Sequence, residues 1–151
     1  MNDPKVNVFL ESRFEFNSLD ALKIYIEESN NSPTEDLMGI FDNTSKEHIG
    51  NIKLSQINKI HKFADIGIVI GVESFWGRGY ATEAIKLMSL YAFRKLKLNK
   101  LVAGIYSENY GSIRAFEKSG FKQIGLLHQH RVYNGKYTDQ LLLELLNDEK
   151  K

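Results

Sequence analysis

The stretch Asp65–Met88, DIGIVIGVESFWGRGYATEAIKLM, contains an apolar run, a turn with glycines and a helical pattern in direct succession. The run Asp65–Ile70 is almost wholly apolar, which is typical of a strand that is buried on both faces. From Ala81 onward apolar residues recur at helical spacing; they are Ala84, Ile85, Met88, Ala92 and Leu96. The stretch therefore predicts a strand, a tight turn and a long amphipathic helix.

The turn between this strand and this helix has the properties of an anion-binding site. Gly77 and Gly79 allow unusual backbone conformations and the close approach of a ligand. The amides that follow belong to a helix N-terminus, which favours negative charge. The P-loop and dinucleotide-binding patterns are both excluded, since Thr82 occupies the place of the third glycine that the latter needs. The alternative is that the two glycines only make the turn tight and bind no ligand.

The rest of the chain is expected to form further strands and two more helices. Ser18 is a suitable N-cap for one helix, and Asn109 is suitable for a shorter helix that Gly120 closes. Asn134-Gly135 is a strong signal for a two-residue hairpin. The expected strands are Leu37–Phe41, Ile49–Leu54, Leu101–Tyr106, Phe121–Tyr133 and Lys136–Leu146. We predict a mixed, largely antiparallel sheet with crossover helices.

Composition limits the organisation and the partners of the protein. With 151 residues and 42% hydrophobic content, the chain fits one domain, residues 1–151. A net charge of +1 gives no basic excess for nucleic acid or an anionic membrane. The sequence has no cysteine and no visible signal peptide or membrane span, so we expect a soluble, cytoplasmic protein without disulfides or a cysteine nucleophile.

Three separate runs resemble the GNAT acetyltransferase superfamily, in the family's order. They are IGIVIGVESFWGRGYATEAIKLMSLYAF (66–93), SENYGSIRAFEKSGFKQIG (107–125) and YNGKYTDQLLLELL (133–146). The resemblance spans roughly residues 49–146. Within the superfamily, the chain resembles the branch of ribosomal-protein and polyamine N-acetyltransferases. The resemblance implies an α+β, three-layer α/β/α fold. Its twisted, mostly antiparallel sheet would contain two neighbouring parallel strands that splay apart.

The resemblance also implies an activity, the transfer of an acetyl group from acetyl-CoA to a primary amine by direct attack in a ternary complex. The acetyl-pantetheine arm would lie between the splayed strands. The acceptor stays open between a protein N-terminus, an amino sugar and a polyamine. A non-catalytic acyl-CoA-binding module is one alternative, and a nucleotide-phosphate binder unrelated to CoA is another.

Three groups of cofactor contacts follow from the resemblance. Backbone groups of one strand would pair with the pantetheine amides, and the glycine turn would hold the pyrophosphate. Asn109 would hydrogen-bond the arm, beside the helix that carries Phe116; a plain N-cap and plain core packing are their alternative roles. The strand residues are Ile68, Val69 and Ile70, and the turn residues are Trp76, Gly77, Arg78, Gly79, Tyr80, Ala81 and Thr82.

Three features depart from the family pattern. Trp76 stands where many relatives have glutamine or arginine, and Phe116 stands where several have a tyrosine that protonates the departing thiolate. A phenyl ring cannot donate that proton. Relatives usually begin with a strand and a helix that have no counterpart before Met1, so we expect this first strand and helix to be absent. A homodimer would cover the sheet edge that their absence exposes.

A polar group near the splayed strands is expected to act as the general base. Freeing a lysine-like amine of pKa ~10.4 at pH 7 costs about 4.6 kcal/mol, more than the roughly 2 kcal/mol gained by protonating a thiolate. Asp65 is our candidate, although a carboxylate at a strand end is also compatible with simple solvation. Tyr106 and Glu108, at the end of the neighbouring strand, are the rivals.

His128 and His130 are expected to project from one face of a strand, as paired metal ligands do. No third ligand accompanies them, and a metal site needs at least three. We therefore expect no metal and interpret the two histidines as sheet residues that line the acceptor cleft.

Overall fold

The computed structural model describes residues 3–7, 9 and 18–150. The helices are α1 (Pro4–Asn7), α2 (Leu19–Asn31), α3 (Tyr80–Arg94) and α4 (Tyr110–Lys118), with short 3-10 turns at Glu73–Phe75 and Asp148–Lys150. The strands are β1 (Asp36–Phe41), β2 (His48–Asn58), β3 (Phe63–Ile70), β4 (Lys100–Tyr106), β5 (Lys122–Tyr133) and β6 (Lys136–Leu146). Every element expected from the sequence is present within a few residues of its expected bounds.

Local side-chain chemistry fixes several of these bounds. The Ser18 side chain accepts a hydrogen bond from the Ala21 amide and begins α2, and Asn109 does the same for α4 through the Ser112 amide. Asn134 and Gly135 both have positive φ, of 49° and 71°, as a type I′ hairpin turn requires. These caps and this turn agree with the sequence patterns that predicted them.

The six strands form one sheet in the order β1-β2-β3-β4-β6-β5, and only β3 and β4 run parallel. Their register covers just Phe63–Asp65 against Lys100–Val102. Beyond it, Ile66–Ile70 pairs only with β2, and Ala103–Tyr106 pairs only with β6. The two parallel strands therefore part, which confirms the predicted splayed pair.

Helices cover both faces of the sheet. On one face α3 and α4 pack over a core that includes Leu54, Ala64, Ile85 and Leu101, all fully buried. On the other face α2 contacts the sheet, where the Lys53 ammonium bonds to the Tyr25 hydroxyl at 2.9 Å. The three-layer α+β fold is thereby confirmed. In the described ranges, no helix has the length and apolar character that a membrane crossing needs.

The expectation that Asp65–Ile70 is buried on both faces is wrong. Ala64 and Ile66 face the core and are buried, but Gly67 between Ile66 and Ile68 is exposed, and Ile68–Ile70 is only half-buried. The physical reason is the parting of the strands, because this half of β3 lacks a neighbour on its β4 side. An apolar run marks this strand, but its composition does not reveal the gap beside it.

The outer strands of the sheet are β1 and β5, each with one neighbour among the described strands. An outer strand leaves a row of backbone donors and acceptors unpaired. Coverage of such an edge by a second copy of the chain stays a prediction.

Candidate active site

The gap between β3 and β4 is the central feature of the candidate site. It begins at Asp65 and Val102, the last residues in parallel register, and widens toward Ile70 and Tyr106. A strand with a neighbour on one side only presents its outward N–H and C=O groups to whatever lies on the other side. The backbone of Ile68–Ile70 can therefore pair with an extended amide-containing ligand, as another strand would.

The glycine turn lies directly after the wide end of this gap. Gly77 and Gly79 have positive φ of 69° and 87°, in the region that favours glycine. Gly79 is the N-cap of α3 and supplies no side-chain cap, so the first amides of α3, from Tyr80 to Thr82, lack an acceptor within the helix. These N–H groups and the helix dipole provide a backbone site for an anion.

Trp76 closes one side of the turn against the end of β3. Its indole N–H donates to the Ile70 carbonyl at 2.8 Å, and its side chain is 41% exposed. The residue that departs from the family pattern thus takes a defined position through one hydrogen bond, and its side chain supplies no donor to an anion in the turn.

Arg78 is the cationic side chain of the turn, and two aromatic rings hold it. Its guanidinium lies 5.1 Å from the Phe75 ring centroid and 5.6 Å from that of Tyr80. The two rings pack edge to face with centroids 5.2 Å apart. Such cation–π contacts leave the guanidinium charge available to an anion while restricting its position.

Asn109 and Phe116 both have structural roles in this structure. The Asn109 carboxamide oxygen accepts from the Ser112 amide at 3.2 Å, which is the N-cap role. Phe116 is only 2% exposed and packs edge to face against Phe121, with ring centroids 5.0 Å apart. Their contact with a cofactor arm stays a prediction.

Asp65 lies at the narrow end of the gap. Its neighbours Ala64 and Ile66 face the core, so alternation places its side chain on the opposite face, the one that α2 covers in part. Burial raises the pKa of the Asp65 carboxyl above its ordinary value of 3.8. A carboxylate so destabilised is a stronger base than one in free water.

Tyr106 and Glu108 lie at the other end of the gap, with Tyr106 roughly 13 Å beyond Val102 along β4. Tyr106 is 4% exposed and packs edge to face against Phe9. Glu108 accepts a hydrogen bond from the Thr138 hydroxyl, and its second carboxylate oxygen is buried without a hydrogen-bond partner among the described residues. The structure therefore does not bring Asp65 and Tyr106 together around one reacting group.

The two histidines do not form a regular pair. A bulge interrupts β5 between Leu127 and Arg131, with Gln129 at φ 50°, so the alternation that would place both on one face is lost. His128 lies 3.6 Å from the Asp139 carboxylate. Among residues 3–7, 9 and 18–150, no three or more His, Cys, Asp or Glu side chains are grouped as metal ligands.

A groove of about 610 Å³ lies elsewhere, between β1 and the outer side of α3. No residue of β3 or β4 lines it, and it meets the glycine turn only at Arg78 and Tyr80. Its other lining residues include Met38, Phe41 and Leu87. The strand gap, in contrast, places the unpaired backbone groups of β3 directly before the glycine turn.

The sequence profile of the acetyltransferase (GNAT) domain family matches residues 1–122. The chain belongs to the GNAT acetyltransferase family. The probable N-acetyltransferase YjcK of Bacillus subtilis is 36% identical over 112 residues, which are 74% of this chain and 61% of that protein. This GNAT chain thus spans about three fifths of the length of that curated relative.

Polyamine enzymes are among the other GNAT relatives. The spermidine N(1)-acetyltransferase of Vibrio cholerae is 30% identical over 110 residues, 73% of this chain and 63% of that protein. A crystal structure of spermidine N-acetyltransferase from Vibrio cholerae, in complex with CoA and spermine, superposes with a TM-score of 0.85. It has 27% identity and covers 96% of this chain and 84% of that one. The two proteins share the GNAT fold.

One residue beside the glycine turn is not predicted by any pattern in the sequence. Asp42 is in the polar turn between β1 and β2. It bonds to the Tyr80 hydroxyl, 38 positions away in the chain. No sequence pattern signals a contact at that separation.

Proposed function

We propose that this chain transfers the acetyl group of acetyl-CoA to a primary amine. The observation that carries this proposal is the parting of β3 and β4 immediately before a glycine turn at the N-terminus of α3. The gap offers strand-like backbone groups to the pantetheine amides, and the turn offers free amides and Arg78 to the pyrophosphate.

The direction of the cofactor follows from these two anchors. With the pyrophosphate at Gly77–Thr82, the pantetheine arm runs back along Ile70 toward Ile68, and the thioester lies near the narrow end of the gap. This orientation favours Asp65 over Tyr106 as the group beside the reacting atoms, because Asp65 begins the gap and Tyr106 lies at its wide end.

The reaction needs no covalent intermediate on the protein. The amine nitrogen attacks the thioester carbon, and a backbone N–H of β3 near the narrow end of the gap stabilises the resulting oxyanion. Asp65, directly or through water, accepts the proton of the amine. Collapse of the tetrahedral intermediate breaks the carbon–sulfur bond and releases CoA, whose thiolate takes a proton from solvent because Phe116 has none to donate.

A polyamine is the acceptor that we propose first. Relatives at 30% and 36% identity are named spermidine N(1)-acetyltransferases. Asp65 and Glu108 place carboxylates at the two ends of the gap, and Glu108 has a buried oxygen that an ammonium can satisfy. A peptide N-terminus and an amino sugar each present a single ammonium, and so they use only one of these carboxylates.

Thiol release tests this function. The chain is incubated with acetyl-CoA and one amine at a time (spermidine, spermine, a peptide with a free N-terminus, or glucosamine), and free CoA is titrated. We expect release with spermidine or spermine above the rate without amine. Acetyl-CoA binding without release from any amine would instead support a non-catalytic CoA-binding module, and absence of binding would contradict both.

A further inference from the structure

Asp42 connects the β1–β2 turn to the glycine turn. Its side chain is only 7% exposed. One carboxylate oxygen accepts from the Ser45 amide at 2.7 Å and the Ser45 hydroxyl at 2.9 Å, while the other accepts from the Tyr80 hydroxyl at 2.5 Å. The Ser45 amide first, and then the Tyr80 and Ser45 hydroxyls, lower the pKa of Asp42 to about 2. Asp42 is therefore an anion at neutral pH, and each of these hydrogen bonds is charge-assisted.

Tyr80 is the first residue of α3, and its ring connects the parts of the glycine turn. It packs edge to face on Phe75, which precedes the glycines, and it lies 5.6 Å from the Arg78 guanidinium between them. Because Asp42 fixes the hydroxyl end of this ring, the bond restrains Phe75 and Arg78 through the ring they share.

The turn is also tied to the sheet by the Trp76 indole N–H on the Ile70 carbonyl, but its two glycines add no restraint. Gly77 and Gly79 have no side chains, and no atom of the described residues lies within 4 Å of where a Cβ would be at either position. Glycine loses more conformational freedom on ordering than any other residue. A turn built on two glycines therefore needs an anchor from outside if it is to be ordered before a ligand arrives.

We propose that Asp42 is a positioning residue for the cofactor, acting through Tyr80 to hold the turn from Phe75 to Tyr80 in its binding conformation before acetyl-CoA arrives. This inference rests on the proposed function, which places the pyrophosphate at this turn. A preordered turn binds more tightly because binding does not have to order it. Asp42 thus affects cofactor affinity without touching the cofactor.

The chain contains a matched control for this contact. Tyr91, near the C-terminal end of α3, donates its hydroxyl to Asp36 of β1 at 3.1 Å. The bond has the same chemistry, again joins α3 to the β1 region, and lies far from the glycine turn. Tyr80→Phe and Tyr91→Phe each remove one such hydroxyl and nothing else.

Calorimetric titration with acetyl-CoA tests the inference, after circular dichroism has shown that each variant is folded. We expect Tyr80→Phe to raise the Kd for acetyl-CoA about 10-fold and Tyr91→Phe to leave it within about twofold. Asp42→Asn should also raise this Kd, and adding Tyr80→Phe to it should raise the Kd less than Tyr80→Phe does alone, because the Tyr80 hydroxyl has then already lost its carboxylate partner.

A phosphate-free donor separates positioning of the turn from general loosening. With acetylpantetheine, which has no pyrophosphate, Tyr80→Phe should retain the kcat/KM of the natural chain, whereas with acetyl-CoA its KM should rise and its kcat should stay the same. Three results would overturn this inference alone. They are an unchanged Kd for acetyl-CoA in Tyr80→Phe, an equal loss of kcat/KM with acetyl-CoA and with acetylpantetheine in that variant, and an equal rise of Kd in Tyr91→Phe. Failure of the natural chain to bind acetyl-CoA would overturn the proposed function as well.

Discussion

The glycine turn and the face of the gap around Asp65 present different kinds of groups to a ligand. At the turn, backbone amides at the start of α3 supply most donors, with Arg78 as the one added cation. At Asp65 the chemistry depends on a single half-buried carboxylate. The difference teaches that cofactor binding should depend on the backbone conformation of the turn, and on the Asp42–Tyr80 bond that holds it, more than on a side chain such as that of Trp76. Catalysis should show the opposite sensitivity.

The largest effect is expected at Asp65. Asp65→Asn keeps the shape of the side chain and removes the base, so kcat should fall by about 100- to 10,000-fold while the Kd for acetyl-CoA stays unchanged. Steady-state thiol release and calorimetry measure the two quantities. Tyr106→Phe is the matched control, and a larger loss of kcat there than in Asp65→Asn would assign the base to the wide end of the gap.

The turn should respond to a backbone change. Gly79→Ala introduces a Cβ at φ 87°, and the strain of a left-handed conformation is about 1–2 kcal/mol. We expect the Kd for acetyl-CoA to rise about 10-fold, with kcat at saturating cofactor unchanged. Trp76→Gln, a side-chain change in the same turn, should alter Kd by less than about threefold. A larger change of Kd in Trp76→Gln than in Gly79→Ala would contradict cofactor binding that is mainly through the backbone.

Two glycines on the neighbouring strands β2 and β3 test, through the stability of the protein, how much free space lies beside the strand gap. A Cβ at Gly50 would meet the Val69 carbonyl oxygen at 2.2 Å, so Gly50→Ala should lower the free energy of unfolding by about 2 kcal/mol. At Gly67 no described atom lies within 4 Å of such a Cβ, so Gly67→Ala should raise it by about 0.5 kcal/mol. Urea titration of both variants measures this, and equal destabilisation would show that Gly67 does not face open space.

The smallest effect is a pH dependence of stability. Burial raises the pKa of Asp65, so the folded chain holds this proton more tightly than the unfolded chain, and stability falls as pH rises from the ordinary value of 3.8 through the folded pKa. Asp65→Asn should therefore be more stable than the natural chain at pH 7, with a gain that disappears below about pH 4. Melting temperatures across this range measure the difference, and a less stable variant at pH 7 would contradict a burial cost at Asp65.

Local patterns were enough to predict the elements and the turn. Ser18, Asn109 and Asn134-Gly135 each act on residues only a few positions away, so their effect is visible in the sequence. The extent of the gap was not visible, because the parallel register of β3 and β4 depends on packing across the whole sheet. The resemblance to the family supplied the splay and the strand residues Ile68–Ile70, and it could not supply the residues at which the parallel register ends.

Contacts between distant residues account for what was missed. The bond from Tyr80 to Asp42 depends on how the β1–β2 hairpin lies against α3, and each residue by itself fits a turn or a helix start. The bulge around Gln129 has a positive φ without a glycine, so the alternation through His128 and His130 gave no warning of it. Tertiary packing decided both features.

Backbone hydrogen exchange with and without acetyl-CoA tests the central claim most directly, because it locates the cofactor. We predict that acetyl-CoA slows exchange at Ile68–Ile70 and at Tyr80–Thr82, with no comparable change at β1. Protection confined to the groove between β1 and α3, around Met38–Phe41, with unchanged exchange along the strand gap, would contradict the account.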